Sequence, residues 1–187
     1  MKPYESKARY SGIAIALHWL TALLIVANLA LGLSMVPLPI SPRKLHWYAW
    51  HKWIGTTVFL LTWLRVGWRW VRPAPLPVPM THWQRRAARA SHLALYALLL
   101  LVPVSGWLYS SSTGVQVVYL GLLPLPDLVP ADKTLAAALK AVHVSLNFVL
   151  AVLVCVHTAA ALKHHFVDRD TALVRMLPGM RLRGSAQ

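Results

Sequence analysis

Four long apolar stretches constrain this chain more than any other feature of it. They run Ile13–Met35, His51–Val71, Ser91–Tyr109 and Leu139–Leu162. A helix of about twenty apolar residues spans the hydrocarbon core of a bilayer and satisfies its own backbone polar groups there. A soluble domain of 187 residues has no use for four such runs. A membrane β-barrel would show short alternating segments instead. The expected fold is an all-α membrane protein, a four-transmembrane-helix bundle forming a single domain over residues 1–187. A charged tail precedes the first run, as in a secretory leader. That run is longer than a leader's apolar region and no clear small-residue cleavage site follows it, so a retained first helix is expected.

Charge orients the bundle. The chain has 19 Lys and Arg against five Asp and Glu, a net charge of +14. Nucleic acid is one reading of such an excess, but the placement argues against it. Lys2, Lys7 and Arg9 lie in the N-terminal tail. Arg65, Arg69, Arg72, Arg85, Arg86 and Arg89 lie at the end of the second run and in the segment after it. Lys163, Arg169, Arg175, Arg181 and Arg183 follow the fourth. Fourteen of the nineteen cations thus share one side of a four-span topology, leaving Arg43, Lys44, Lys52, Lys133 and Lys140 on the other. The positive-inside rule predicts both termini in the cytoplasm, with anionic lipid headgroups as the partner. Most of the nine Trp cluster where runs meet loops, as an aromatic belt does. The single cysteine, Cys155, excludes both an internal disulfide and a Cys-x-x-Cys-His haem attachment. It is expected to be a small core residue.

The histidines carry the chemistry. His143 and His157 lie fourteen residues apart in the fourth run. On a helix that spacing puts both imidazoles on nearly one side, about 21 Å apart along the axis. His18 lies near the inner end of the first run and His51 at the outer end of the second. Depth therefore sorts four histidines into an inner pair, His18 with His157, and an outer pair, His51 with His143. Histidines also act as hydrogen-bonding glue between membrane helices, the plainer reading for any one of them. Two pairs matched in depth fit two bis-histidine haems, held between facing helices by axial ligands and packing alone. Gly55, one turn from His51, and Ala14, one turn from His18, leave room on those faces.

Other residues have several open roles. His92, at the inner end of the third run, competes with His18 as a ligand; contact with a haem propionate or a quinone is favoured over ligation. His164, two turns beyond His157, is a candidate for a quinone headgroup or for lipid contact. Arg65 and Arg69, one turn apart, snorkel to the interface or pair with propionates or a quinone oxygen. Lys52, Lys133 and Lys140 form a possible anion-steering mouth at the outer end, or are solvated. His46 and His82 are expected in loops. The acids Glu5, Asp127, Asp132, Asp168 and Asp170 all lie outside the four runs, which argues against a carboxylate proton relay across the membrane. No Gly-rich phosphate loop occurs.

Taken in order, these pieces resemble the prokaryotic cytochrome b561 family over nearly the whole chain. The most specific are His18-Trp19-Leu20, His51-Lys-Trp-Ile-Gly55, Arg65-x-x-x-Arg69, His92 with Pro103-Val-Ser-Gly106, and His143 with His157. The tail His164-His165-Phe166-x-x-Asp168-x-Asp170-x-x-Leu173-x-Arg175-Met176-Leu177-Pro178 completes the match. The resemblance implies two b-type haems in an inner-membrane bundle, ligated by the same two pairs. It further implies electron transfer from periplasmic superoxide to ubiquinone, a superoxide:ubiquinone oxidoreductase activity. Quinone would then contact Trp19, Arg69, His92 and His164. The alternative is a non-catalytic di-haem subunit that links a separate dehydrogenase or periplasmic redox protein to the quinone pool.

Overall fold

A computed structural model describes residues 9–179. The tail residues Lys2, Glu5 and Lys7, and Arg181 and Arg183, lie outside the described residues. Four long helices dominate the rest: α1 (Gly12–Met35), α2 (Pro42–Val71), α3 (His82–Ser112) and α4 (Lys133–Phe166). Three of them, α1, α3 and α4, are long and apolar enough to cross a membrane. The second apolar run lies within α2, which has ample length at 30 residues. Its five cations, Arg43, Lys44, Lys52, Arg65 and Arg69, lower its hydropathy and keep it out of that group.

Local chemistry sets the helix starts. Ser11 accepts a hydrogen bond from the Ala14 N–H, Ser41 from Lys44, and Asp132 from Leu135, so each supplies an acceptor for an orphan donor of the first turn. Thr81 opens α3 differently: its N–H and hydroxyl both donate to the Gln84 side-chain oxygen. The caps of α2 and α3 lie well before the apolar runs within those helices. As a result, α2 and α3 each begin nine residues earlier than the runs within them. His46 and His82, expected in loops, are helical. The first turns of α2 and α3 carry Arg, Lys, His and Gln and so fall outside the apolar runs.

α1 packs against α2, α2 against α3, and α3 against α4. Ile25, Val58, Leu98, Leu99, Val102 and Leu150 form one buried layer at mid-height, contributed by all four helices. Thr21 and Thr62 are fully buried and return their hydroxyls to the carbonyls of Leu17 and Val58. Such short polar side chains let helices approach closely and leave no donor unpaired. Much of the outer surface is apolar, with Leu33, Trp70, Phe148 and Leu93 each more than two-thirds exposed, as a lipid environment favours. Cys155 lies on this exposed surface and not in the core. Its neighbours His157 and Val154 take the inward positions of that turn.

The two ends differ. At the loop end, a two-stranded hairpin, β1 (Val118–Tyr119) with β2 (Leu123–Pro124), folds back over α2. The Trp53 indole donates to the Val118 carbonyl at 2.7 Å, and Thr57 and the Tyr119 hydroxyl are 3.0 Å apart. At the termini end, the segment after α4 closes over the bundle. The Trp19 indole donates to the Met176 carbonyl at 2.7 Å, Arg175 to the Leu76 carbonyl at 2.6 Å, and Arg9 to the Leu177 carbonyl. The tail motif is thus a clasp across α1 and the α2–α3 connection.

Candidate functional site

Leu150 lies seven residues from both His143 and His157, so the buried layer separates two histidine levels on α4. At the loop end, the His51 and His143 rings face each other across the bundle, with centroids 6.2 Å apart. At the termini end, His18 and His157 stand 6.3 Å apart. A metal held between two imidazoles, with metal–nitrogen bonds of about 2 Å, sets ring centroids about 6.4 Å apart. Both depth-matched pairs have that spacing. His92 and His157 are closer, at 5.5 Å, which leaves less room for an ion between them.

The loop-end pair sits in a cavity of about 440 Å³ lined by all four helices. Asn28 of α1, Gly55 of α2, Gly106 of α3 and Asn147 of α4 share its wall with both histidines. Two glycines make room for the rings. A Cβ on Gly106 would lie 2.9 Å from the His143 Cε1, and one on Gly32 would lie 3.2 Å from the His51 Cε1. Gly55, expected to leave room on the face one turn from His51, lines the same cavity. A Cβ there would make ordinary contact with Asn28, at 3.6 Å, so Gly32 is the closer neighbour of His51. Gly32 went unread because it lies on a different helix from the histidine it accommodates.

Hydrogen bonding selects the free nitrogen of His143. Its Nδ1 lies 2.9 Å from the Ser105 Oγ and 3.2 Å from the Val102 carbonyl oxygen. Ser105 spends its own proton on that carbonyl, at 2.7 Å. Both neighbours therefore accept, Nδ1 carries the proton, and Nε2 keeps the lone pair a metal needs. The His51 Nδ1 is buried with no hydrogen-bond partner among the described residues, as is the Asn28 Oδ1. The cavity size, paired imidazoles and glycine recesses fit a haem.

The termini end is more crowded. Arg65 donates to the His18 Nδ1 at 3.2 Å and lies over the Tyr96 ring at 5.3 Å. In that arrangement the neutral His18 ring carries its proton on Nε2. Ligation through Nε2 requires the proton on Nδ1 and Arg65 turned away from it, toward Tyr96. His92 and Arg69 are exposed, and the Trp19 N–H is engaged by the tail clasp.

His164 belongs to a separate recess, also about 440 Å³, lined by Met80, Thr81, Gln84, Asp168 and Asp170, and not by Trp19, Arg69 or His92. It is bonded to Asp170 at 2.6 Å, while Lys163 pairs with Asp168 at 2.7 Å. That charge cluster satisfies itself. Of the three lysines expected to steer anions, Lys52 lines the loop-end cavity, whereas Lys133 and Lys140 are exposed along α4. Sequence reasoning missed Ser105, Asn28 and Asp170 as partners. A lone amide or hydroxyl inside an apolar run was the signal available for the first two.

Known proteins resemble this chain over nearly its whole length. The family model described as prokaryotic cytochrome b561 matches residues 9–179. The chain is 38% identical over 174 residues to cytochrome b561 homolog 2 of Escherichia coli K12, covering 90% of this chain and 91% of that protein. It is 29% identical over 178 residues to cytochrome b561 homolog 1 of the same organism, covering 91% and 97%. It is 30% identical over 182 residues to a probable superoxide oxidase CybB of Yersinia pestis, covering 92% and 98%.

Proposed function

Because the chain belongs to the prokaryotic cytochrome b561 family, we propose that it holds two b-type haems at two depths and moves electrons between the faces of the bacterial inner membrane. Family membership itself makes it a membrane electron-transport protein that carries b-type haem. In this reading His51 and His143 ligate one haem, His18 and His157 the other, and all four helices cross the membrane as one domain. The termini end is cytoplasmic, on the strength of its basic residues. The observation that carries the reading is the near-identical spacing of two histidine pairs, 6.2 and 6.3 Å, at two levels of one bundle.

Bound haem supplies a one-electron carrier whose potential is tuned by its ligands, their hydrogen bonds and burial. The protein's part is to fix those terms. The four histidines hold the iron, Gly32 and Gly106 leave space beside the rings, and the buried layer around Leu150 excludes water between the levels. Lys52 places positive charge at the wall of the outer cavity, where an anion would approach. We take the donor to be periplasmic superoxide, which leaves as dioxygen after giving up one electron. The acceptor is ubiquinone at the inner end, which takes two electrons and two protons to become quinol. The relative named as a probable superoxide oxidase supports the donor.

The second reading is an electron-transfer subunit for a separate dehydrogenase or periplasmic redox protein. It is favoured by the higher identity, 38% against 30%, to a relative whose name specifies no donor. Stopped-flow mixing of the purified, oxidised protein with superoxide separates the two. Fast reduction of the haem bands, reversed by ubiquinone, is the expected result. Bands that respond to dithionite but ignore superoxide would establish the second reading.

A further inference from the structure

Three of the four proposed ligands differ in what their second ring nitrogen meets. The His143 Nδ1–H is shared by two acceptors, Ser105 Oγ at 2.9 Å and the Val102 carbonyl at 3.2 Å. His51 has no partner at that position among the described residues. His18 meets a cation, Arg65, at 3.2 Å. Ser105 is 5% exposed, and its own proton is committed to Val102, so its oxygen has a lone pair facing the ring. Gly106, the next residue, lets the ring come this close.

We infer that Ser105 is a positioning residue that makes His143 the electron-rich ligand, while Arg65 does the reverse at His18, so that the two haem sites differ in potential with the loop-end site lower. The physical basis is charge. An imidazole whose N–H is held by acceptors donates more strongly and favours the oxidised, more positive iron, which lowers the potential. A guanidinium in contact with the other ligand opposes positive charge there and raises the potential, more than Lys52 does at the loop end, where the ammonium is hydrogen-bonded to the Val115 carbonyl and to neither ring. This holds whether or not Arg65 keeps its bond to Nδ1, because a charge acts through space in a poorly screened interior. Electrons then run downhill from the loop end to the termini end, the direction needed to carry them from a periplasmic donor inward.

The inference rests on the haem assignment proposed above, and its failure is separable from the failure of that assignment. The test is an equilibrium redox titration of the haem bands, with haem content measured on the same samples. Wild type should titrate in two components. Ser105→Ala should shift the lower midpoint upward with both haems retained, and Ser105→Cys, a weaker acceptor of similar size, should shift it less. Ser105→Thr, which keeps the hydroxyl, should restore the wild-type value. Arg65→Gln should shift the higher midpoint downward. If Ser105→Ala fails to bind haem, Ser105→Cys carries the test. Unmoved midpoints in the Ser105 variants, or a shift in the higher component instead, would overturn the inference. His143→Ala protein that still holds both haems would overturn the assignment beneath it.

Discussion

At the scale of single residues, the paired imidazoles lead to two predictions. His157→Ala should leave one haem per chain, and His18→Ala should remove the same haem, identified by its midpoint. His92→Ala should retain both, because the His92–His157 separation of 5.5 Å is shorter than a bridging iron requires. Loss of a haem in the His92 variant, with retention in the His18 variant, would exchange their roles. Gly106→Ala is the second. Its methyl would sit 2.9 Å from the His143 ring, an overpacking that costs about 1–3 kcal/mol. The expected outcome is loss of the outer haem and a lower melting temperature, both read from a thermal scan of the haem bands. Gly12, with nothing within 4 Å of an added Cβ, is the matching control. The histidine levels were legible in the sequence because spacing along one helix is a local property. The glycine recesses were not, because each belongs to a helix other than that of the ring it admits.

At the scale of helices, caps and clasps decide where elements begin and how the ends close. Asp132→Ala removes the side-chain acceptor that meets the Leu135 N–H at 2.7 Å. It should destabilise the start of α4 by about 1 kcal/mol, measurable as faster amide exchange in its first turn. Haem content should not change, since His143 lies beyond that turn. The extended starts of α2 and α3 escaped the sequence reading for a related reason: a capped, polar helical turn looks like a loop when judged by hydropathy alone. The C-terminal motif is different. Its residues were recognised as a signature, yet their use as a clasp to Trp19, Leu76 and Arg9 depends on partners up to 168 residues away.

For the molecule as a whole, charge placement makes the orientation testable. Arg65 and Arg69 near one end, with Lys163, Arg169 and Arg175 beyond it, predict that reporters fused to either terminus are active only in the cytoplasm. Lys52 is the one outer lysine of the three expected to steer anions that lines the cavity. Lys52→Gln should therefore slow reduction by superoxide several-fold at low salt and flatten its dependence on ionic strength. The same substitutions at Lys133 and Lys140 should act weakly. Equal effects from all three would mean that the field of the whole surface, and not the cavity wall, attracts the donor.

The sequence by itself determined that the chain is helical and built for lipid, that histidines occupy two depths, and which end carries the positive charge. Each of these is a matter of composition or of spacing along one segment, and helix geometry converts such spacing directly into position. Only the tertiary structure decided which glycines meet which rings, which nitrogen of His143 is free, and that Ser105 meets the His143 ring while Arg65 meets the His18 ring. Those depend on how each helix is rotated about its own axis against its neighbours. That rotation is set by packing among all four helices at once, and no one segment records it.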